Sequence, residues 1–456
     1  MMESIHITDS IIFGGSWNTP KIRTHFSETN RIRGWIEIMV ILAEVQAEFK
    51  LIPKKAAIDI RRTYDSLTVD EKLLLEVAAD FKKTNHSFIG LINAIKHRCG
   101  QNEGEWLCYG VTVQDVTDTY MSCVLSKVRR SYIVDIIEIE KLLIQLAKEH
   151  RNTIMCGRTH GQPGIPITFG YKVATWLDEF DRHRQRLLEI EHRLEVVQLA
   201  GGIGSLSSLG PEALEVRKTF SKRLNLNSPL ISWTSTRDRL SEWLNILAMI
   251  TSTGDRIGQE IYNLQRPEIG ELNEGFVDGT IGSITMPQKK NPEISEHLGT
   301  LSKTVRHHAA HMLENLVHDH ERDGRSWKSE WLIIPEATMF AGKSLYLLTN
   351  LLESLQVNSK KMLENIHATK GFIHAETIML ALAQKIGKQS AHEIVYKASM
   401  SASEQELSFK EVIFAHQIIS KRFTTNEIEG FFKLEKSTGV CAEMTDLIIN
   451  SINYSD

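Results

Sequence analysis

Residues 282–292 read Gly-Ser-Ile-Thr-Met-Pro-Gln-Lys-Lys-Asn-Pro, and glycines stand at 270, 275, 279 and 282 leading into them. The stretch places a serine, a lysine and an asparagine on one loop that runs from Gly282 to Pro292, with the glycines spaced as hinges for a lid. Gly-Ser turns that end in Asn-Pro are common, and most carry no chemistry. What sets this one apart is the joint presence of Met286-Pro287, Lys289, Asn291-Pro292 and Glu296. Removing a proton from a carbon beside a carboxylate leaves a doubly negative aci-carboxylate, so donors fixed in advance must meet the developing charge. Lys289 and Asn291 are donors of that kind.

Outward from the loop the chain reads as helix. Proline is absent between Pro53 and Pro163 and again after Pro335, which leaves long stretches free of helix breakers. Ile136, Ile139, Leu143 and Leu146 recur at helical spacing, as do Leu187, Ile190, Leu194 and Val197, and Leu240, Trp243, Leu247 and Ile250. These are the core stripes of a bundle. The second is expected to stop at Gly201-Gly202 and the third to run towards Gln265 before Pro267. Strands are hard to find, and there is no internal repeat or low-complexity linker. The fold class is therefore all-α.

At 456 residues the chain exceeds a single small module, and two or three folding units are expected. Its 53 basic and 57 acidic residues nearly balance, for a net charge of −4, so no global field attracts nucleic acid. The five cysteines, at 99, 108, 123, 156 and 441, are odd in number and show no CxxC spacing, which fits a reducing compartment. An acidic residue stands near the N-terminus where a signal peptide carries bases, and no apolar run approaches a membrane span. A soluble, cytoplasmic protein is the expectation.

Two further constellations carry chemistry. Arg158-Thr159-His160-Gly161-Gln162 precedes an amphipathic segment. A histidine near a helix start is more often a structural hydrogen-bonding residue than a catalyst. Elimination, however, needs a proton delivered to the departing atom, and an imidazole oriented by a carboxylate does this near neutral pH. Thr112-Val113-Gln114-Asp115, after Tyr109-Gly110, stands at another helix start, where it reads equally well as an ordinary cap.

Together the three segments, in this order, resemble the signature regions of the fumarase/aspartase superfamily, over roughly residues 85–345. The resemblance implies a three-domain helical fold with a central long-helix bundle, four copies packing their bundles together, and active sites where three subunits meet. On motif positions the segments are 1–110, an N-terminal helical domain; 111–355, the bundle with the signature loop; and 356–456, a small C-terminal helical domain. The resemblance also implies roles. Ser283 is the position of the base and His160 that of the proton donor, with Glu296 as the carboxylate that orients it. His86, Thr112, Asp115, Thr159, Lys289, Asn291 and Arg322 fall at substrate-binding positions. The activity implied is release of fumarate from a substituted succinate, with no cofactor.

Within the superfamily, Thr159-His160-Gly161-Gln162 and Thr236-Arg237-Asp238-Arg239 resemble the adenylosuccinate lyases, so a carbon-nitrogen lyase acting on an N-succinyl adduct is the leading reading. Several positions depart from that group. Val113 replaces a hydroxyl donor, Cys108 a histidine and Thr236 a glutamine. Trp327 and Trp331 stand where a phosphate-binding serine and arginine are found, and resemble the carboxymuconate cycloisomerases instead. At four-residue spacing the two indoles equally well pack a helix face. Cycloisomerisation is the runner-up activity, and a catalytically silent scaffold the reading from another class. His307, His308, His311, His318 and His320 are dense but lack an HExxH pattern, and no metal is expected. GxGxxG and P-loop spacings are absent too.

Overall fold

The stretch free of proline from 54 to 162 holds the longest helix among the described residues, whereas Pro335 does not precede a helix but lies inside one. In the computed structural model, which describes residues 5–86, 88–100, 102–275, 284–286 and 288–454, the principal helices are α1 (Glu28–Glu48), α2 (Val113–Glu149), α3 (Phe169–Glu189), α4 (Asp238–Gln265), α5 (Glu293–Glu314) and α6 (Gly324–Ser354). At 37 residues α2 is the longest of these, about 55 Å at the usual rise. Each anticipated stripe is buried: Ile136, Ile139 and Leu143 on α2, and Leu240, Trp243, Leu247 and Ile250 on α4. Leu146 is half-buried. The stripe from Leu187 to Val197 is buried too, but helix does not persist to Gly201. After α3 only a single turn, Glu191–Leu194, follows, and Val196 then forms a β-bridge with Asn227. Burial without helical periodicity explains why the spacing misled there.

The described chain divides into two compact units, each drawn from three stretches. The first comprises Met1–Asp135, His183–Ser252 and Thr300–Tyr346, and the second Ile136–Arg182, Thr253–Gly299 and Leu347–Asp456. Helices α2 to α6 each supply residues to both. The first unit has a core built from α1, the helices up to residue 107 and the segment 197–226, including Ile36, Met39, Val40, Leu91, Val197 and Phe220. Within the second, Ile378, Leu382, Val395, Phe409, Ile413 and Ile428 form a core inside the C-terminal segment. The division at 110/111 and 355/356 remains a proposal about folding units.

Strands are few and short. β1 (Ile154–Thr159) and β2 (Gln162–Thr168) form an antiparallel hairpin between α2 and α3, and β3 (Leu272–Asn273) pairs with β4 (Gln356–Val357). Among the described residues no helix is long and apolar enough to cross a membrane, and no group of three or more His, Cys, Asp or Glu residues is placed to hold a metal ion.

Candidate functional site

In the first unit the candidate residues gather on one backbone turn. The Asp115 carboxylate accepts from the N–H groups of Thr112 at 2.9 Å, Ala200 at 2.9 Å and Gly201 at 3.0 Å. Arg322 donates to the Gly202 carbonyl at 2.7 Å. Thr119 adds a reciprocal pair with Gln198, donating to its carbonyl at 2.8 Å and accepting from its N–H at 3.0 Å. The start of α2 is thereby stitched to segment 198–202, where Gly201 needs its freedom at φ +75°. Burial pushes the Asp115 carboxyl up to about 7, against the pull of its three N–H donors. Asp115 thus spends its oxygens on its own chain, positioning the turn. The Thr112 hydroxyl, half-buried, makes no hydrogen bond among the described residues. It stands beside the N–H groups that the first turn of α2 leaves without helical acceptors, a setting that attracts carboxylates.

One turn further along α2 lies a buried ion cluster. Arg237, with no exposed side-chain surface, donates to Asp118 at 2.7 and 3.2 Å and to Glu330 at 2.9 Å. Gln114 also donates to Asp118, at 3.1 Å, and to the Thr234 carbonyl at 2.9 Å. Burial opposes the Arg237 charge, but the two carboxylates more than offset it and hold its guanidinium above the usual arginine range. Burial pushes Glu330 the other way, upwards, with Arg237 countering. Arg237, singled out beside Thr236 in the sequence, is therefore a buried structural cation. Trp327 and Trp331 stack edge to face with centroids 4.9 Å apart on α6, and Trp331 remains 37 % exposed. His86 lies apart as a helix cap, its Nδ1 accepting from the N–H groups of Phe88 and Ile89 at 3.3 Å. Cys108 is held at φ +58°, and burial pushes its thiol up to about 12.

In the second unit the histidine is displayed, not wired in. His160 and Gly161 form the two-residue tip of the β1–β2 hairpin, with Thr159 opposite Gln162 and φ values of +53° and +76°. Positive φ at both central residues is the turn that matches strand twist. The expectation of a histidine near a helix start is corrected here: helix begins only at Phe169, since two β-strands intervene. Arg158 anchors the hairpin from below with two hydrogen bonds, 2.6 and 2.8 Å, to Glu271, whose side chain is fully buried. Asn365 donates to the same carboxylate at 2.8 Å. Thr159 and His160 are exposed, and among the described residues His160 forms no hydrogen bond or ion pair. One chain therefore does not join His160 to Glu296, although both belong to this unit.

Ser283 lies outside the described residues. The signature segment is described on either side of it, and two residues that sequence reading passed over hold its flanks. Gln265, the last residue of α4, accepts from the Glu274 N–H at 2.8 Å and donates to the Lys290 carbonyl at 3.3 Å. Glu274 in turn caps α5, accepting from Ile294 and Ser295 N–H at 3.1 and 2.7 Å. A glutamine just before a helix-breaking proline, and a glutamate nineteen residues ahead of a helix start, carry no local signal of these roles. Lys289 and Glu296 are exposed and Asn291 half-buried.

A protein family described simply as lyases matches residues 15–306, and the adenylosuccinate lyase C-terminus family matches residues 371–448. An N-acetyl-S-(2-succino)cysteine lyase of Enterococcus italicus is 37 % identical over 444 residues, covering 97 % of each chain. An adenylosuccinate lyase of Methanocaldococcus jannaschii is 33 % identical, over 96 % of this chain and 94 % of that one. Among solved structures, a fumarate lyase from a Mesorhizobium species superposes with a TM-score of 0.89 at 32 % identity, over 97 % of this chain and all of that one.

Proposed function

Because this chain belongs to the lyases of the fumarase/aspartase superfamily, in the adenylosuccinate lyase and carboxymuconate cycloisomerase branch, we propose that it eliminates fumarate from a succinyl adduct of a small thiol or amine that carries no phosphate. The observation that carries the choice of leaving group is the Trp327–Trp331 pair. Each indole offers one N–H and a broad apolar face, whereas a dianionic phosphate demands cationic, bidentate donors. The Enterococcus relative, named for a succinylated cysteine, supports a thioether as the first substrate to try, ahead of adenylosuccinate.

The succinyl carbon beside one carboxylate loses its proton to Ser283, and the electron pair forms the double bond as the carbon–sulfur or carbon–nitrogen bond breaks. Lys289 and Asn291 meet the charge that builds on the aci-carboxylate. Thr112, with the start of α2, holds a substrate carboxylate, and Arg322 joins it; His86, which lies apart in one chain, completes the binding set in the assembled enzyme. Asp115 acts through the 200–202 turn. His160, oriented by Glu296 in the assembled enzyme, gives its proton to the departing atom. An amine must be protonated to leave, while a thiol with an ordinary pKa of about 8.5 departs more readily as the anion.

Purified protein is incubated separately with N-acetyl-S-(2-succino)cysteine and with adenylosuccinate while fumarate is followed. Faster fumarate release from the thioether is expected, and Ser283→Ala should reduce it by about a thousandfold or more. A higher kcat/KM on adenylosuccinate would overturn the leaving-group reading. Release of fumarate from neither compound would overturn the elimination itself.

A further inference from the structure

A cleft of about 580 Å³ opens in the first unit between α1, α2 and segment 223–226, lined by none of the residues assigned to catalysis or substrate binding. Its floor is apolar, with Ile38, Val124 and Leu226 all buried. Its rim is basic. Arg130 and Arg223 already have carboxylates, Glu195 at 3.3 Å and Glu44 at 3.4 Å. Arg33 on α1 and Lys127 on α2 are exposed and form no ion pair among the described residues. Glu37 is the acidic residue in the lining and is likewise unpaired. Two unanswered cations against one carboxylate leave a single positive charge. His25 adds none, because burial, then Lys127 and Lys21, hold its imidazole below the ordinary range.

An independent observation points into the same cleft. Ser126 is only 6 % exposed, lines the cleft, and makes no hydrogen bond among the described residues. Most buried hydroxyls are paired, and a helical serine commonly donates to the carbonyl four residues back. The Ser126 hydroxyl, without such a bond among the described residues, opens on the cleft beside Lys127, where it can donate to a ligand. A polyanion would exceed the charge on offer, and an inorganic anion would leave the apolar floor uncovered.

We propose that this cleft binds an amphipathic monocarboxylate, its headgroup held by Lys127 and Ser126 with Arg33, and its apolar body on the Ile38, Val124 and Leu226 floor. The test is calorimetric titration of the full chain with octanoate, with octanol and inorganic phosphate as arms lacking the charge or the body. Octanoate should bind at least about tenfold more tightly than either. Arg33→Ala with Lys127→Ala should weaken octanoate by about tenfold or more, and Ser126→Ala by severalfold, with the circular dichroism spectrum unchanged. The proposal is overturned if octanoate does not bind, if octanol binds as well, or if the folded double variant keeps full octanoate affinity. Ser126→Ala gives a second reading should the double variant not fold.

Discussion

The start of α2 and the tip of the β1–β2 hairpin handle polar residues in opposite ways. At the first, Asp115, Asp118, Arg237 and Glu330 are buried and bonded within their own chain. At the second, His160 stands exposed on a two-residue turn, and the buried bonds lie underneath it, between Arg158 and Glu271. A buried charge that satisfies its own fold is scaffold, because removing its partner strands it in a poor solvent. An exposed imidazole on a rigid turn contributes little to folding and is left free to act on something else. The two regions differ in whether a candidate residue is bonded into its own fold or left exposed on its surface.

The contrast fails most visibly if His160 proves structural. His160→Gln should lower kcat about 10²- to 10⁴-fold, and more for an amine adduct than for a thioether, with the melting temperature unchanged. A fall in melting temperature matching the loss of activity would erase the distinction. On the other side, Arg237→Met should destabilise the protein by about 3–5 kcal/mol in urea unfolding, because Asp118 and Glu330 are left buried without their cation. An unchanged midpoint would break the scaffold reading.

Asp115→Asn sharpens the same contrast, with an expected loss of about 1–3 kcal/mol, since an amide accepts fewer of the three N–H bonds. Its pH dependence has a definite sign. The folded carboxyl is pushed up to about 7 from an ordinary 3.8, so its contribution to stability is full below pH 3.8 and is lost as pH rises through 7. Asparagine does not titrate, and the cost of the substitution should therefore shrink from pH 5 to pH 8 in paired melting curves. The smallest effect is expected at Gly161→Ala. There is room for the methyl group, with nothing within 4 Å, but φ +76° strains it. A stability loss of about 1 kcal/mol should accompany a larger drop in kcat as His160 is displaced, and Gly161→Asn should recover most of both.

Much of the helical frame was readable in advance because helices are local. Ile136, Ile139 and Leu143 bury together for the reason that they recur every three or four residues, and Pro267 stops α4 close to where it should. The hairpin escaped notice because Gly157, Pro163, Gly164 and Pro166 break up any alternating pattern, and its pairing shows only in the register from Ile154–Thr168 to Thr159–Gln162. Asp115 was visible as a motif residue, but its bonds reach residues 85 and 86 positions away. Spacing along the chain carries no trace of them.

Residue order therefore carried the family resemblance that implied the reaction class, and the long-helix architecture: motif identity and helical period are properties of neighbours. Only the folded chain decided that Asp115 and Arg237 serve the scaffold, that Gln265 and Glu274 clamp the flanks of the signature segment, and that His160 faces outward. Those outcomes depend on which distant groups meet in a low-dielectric interior, where an unpaired charge or N–H is too unfavourable to leave alone.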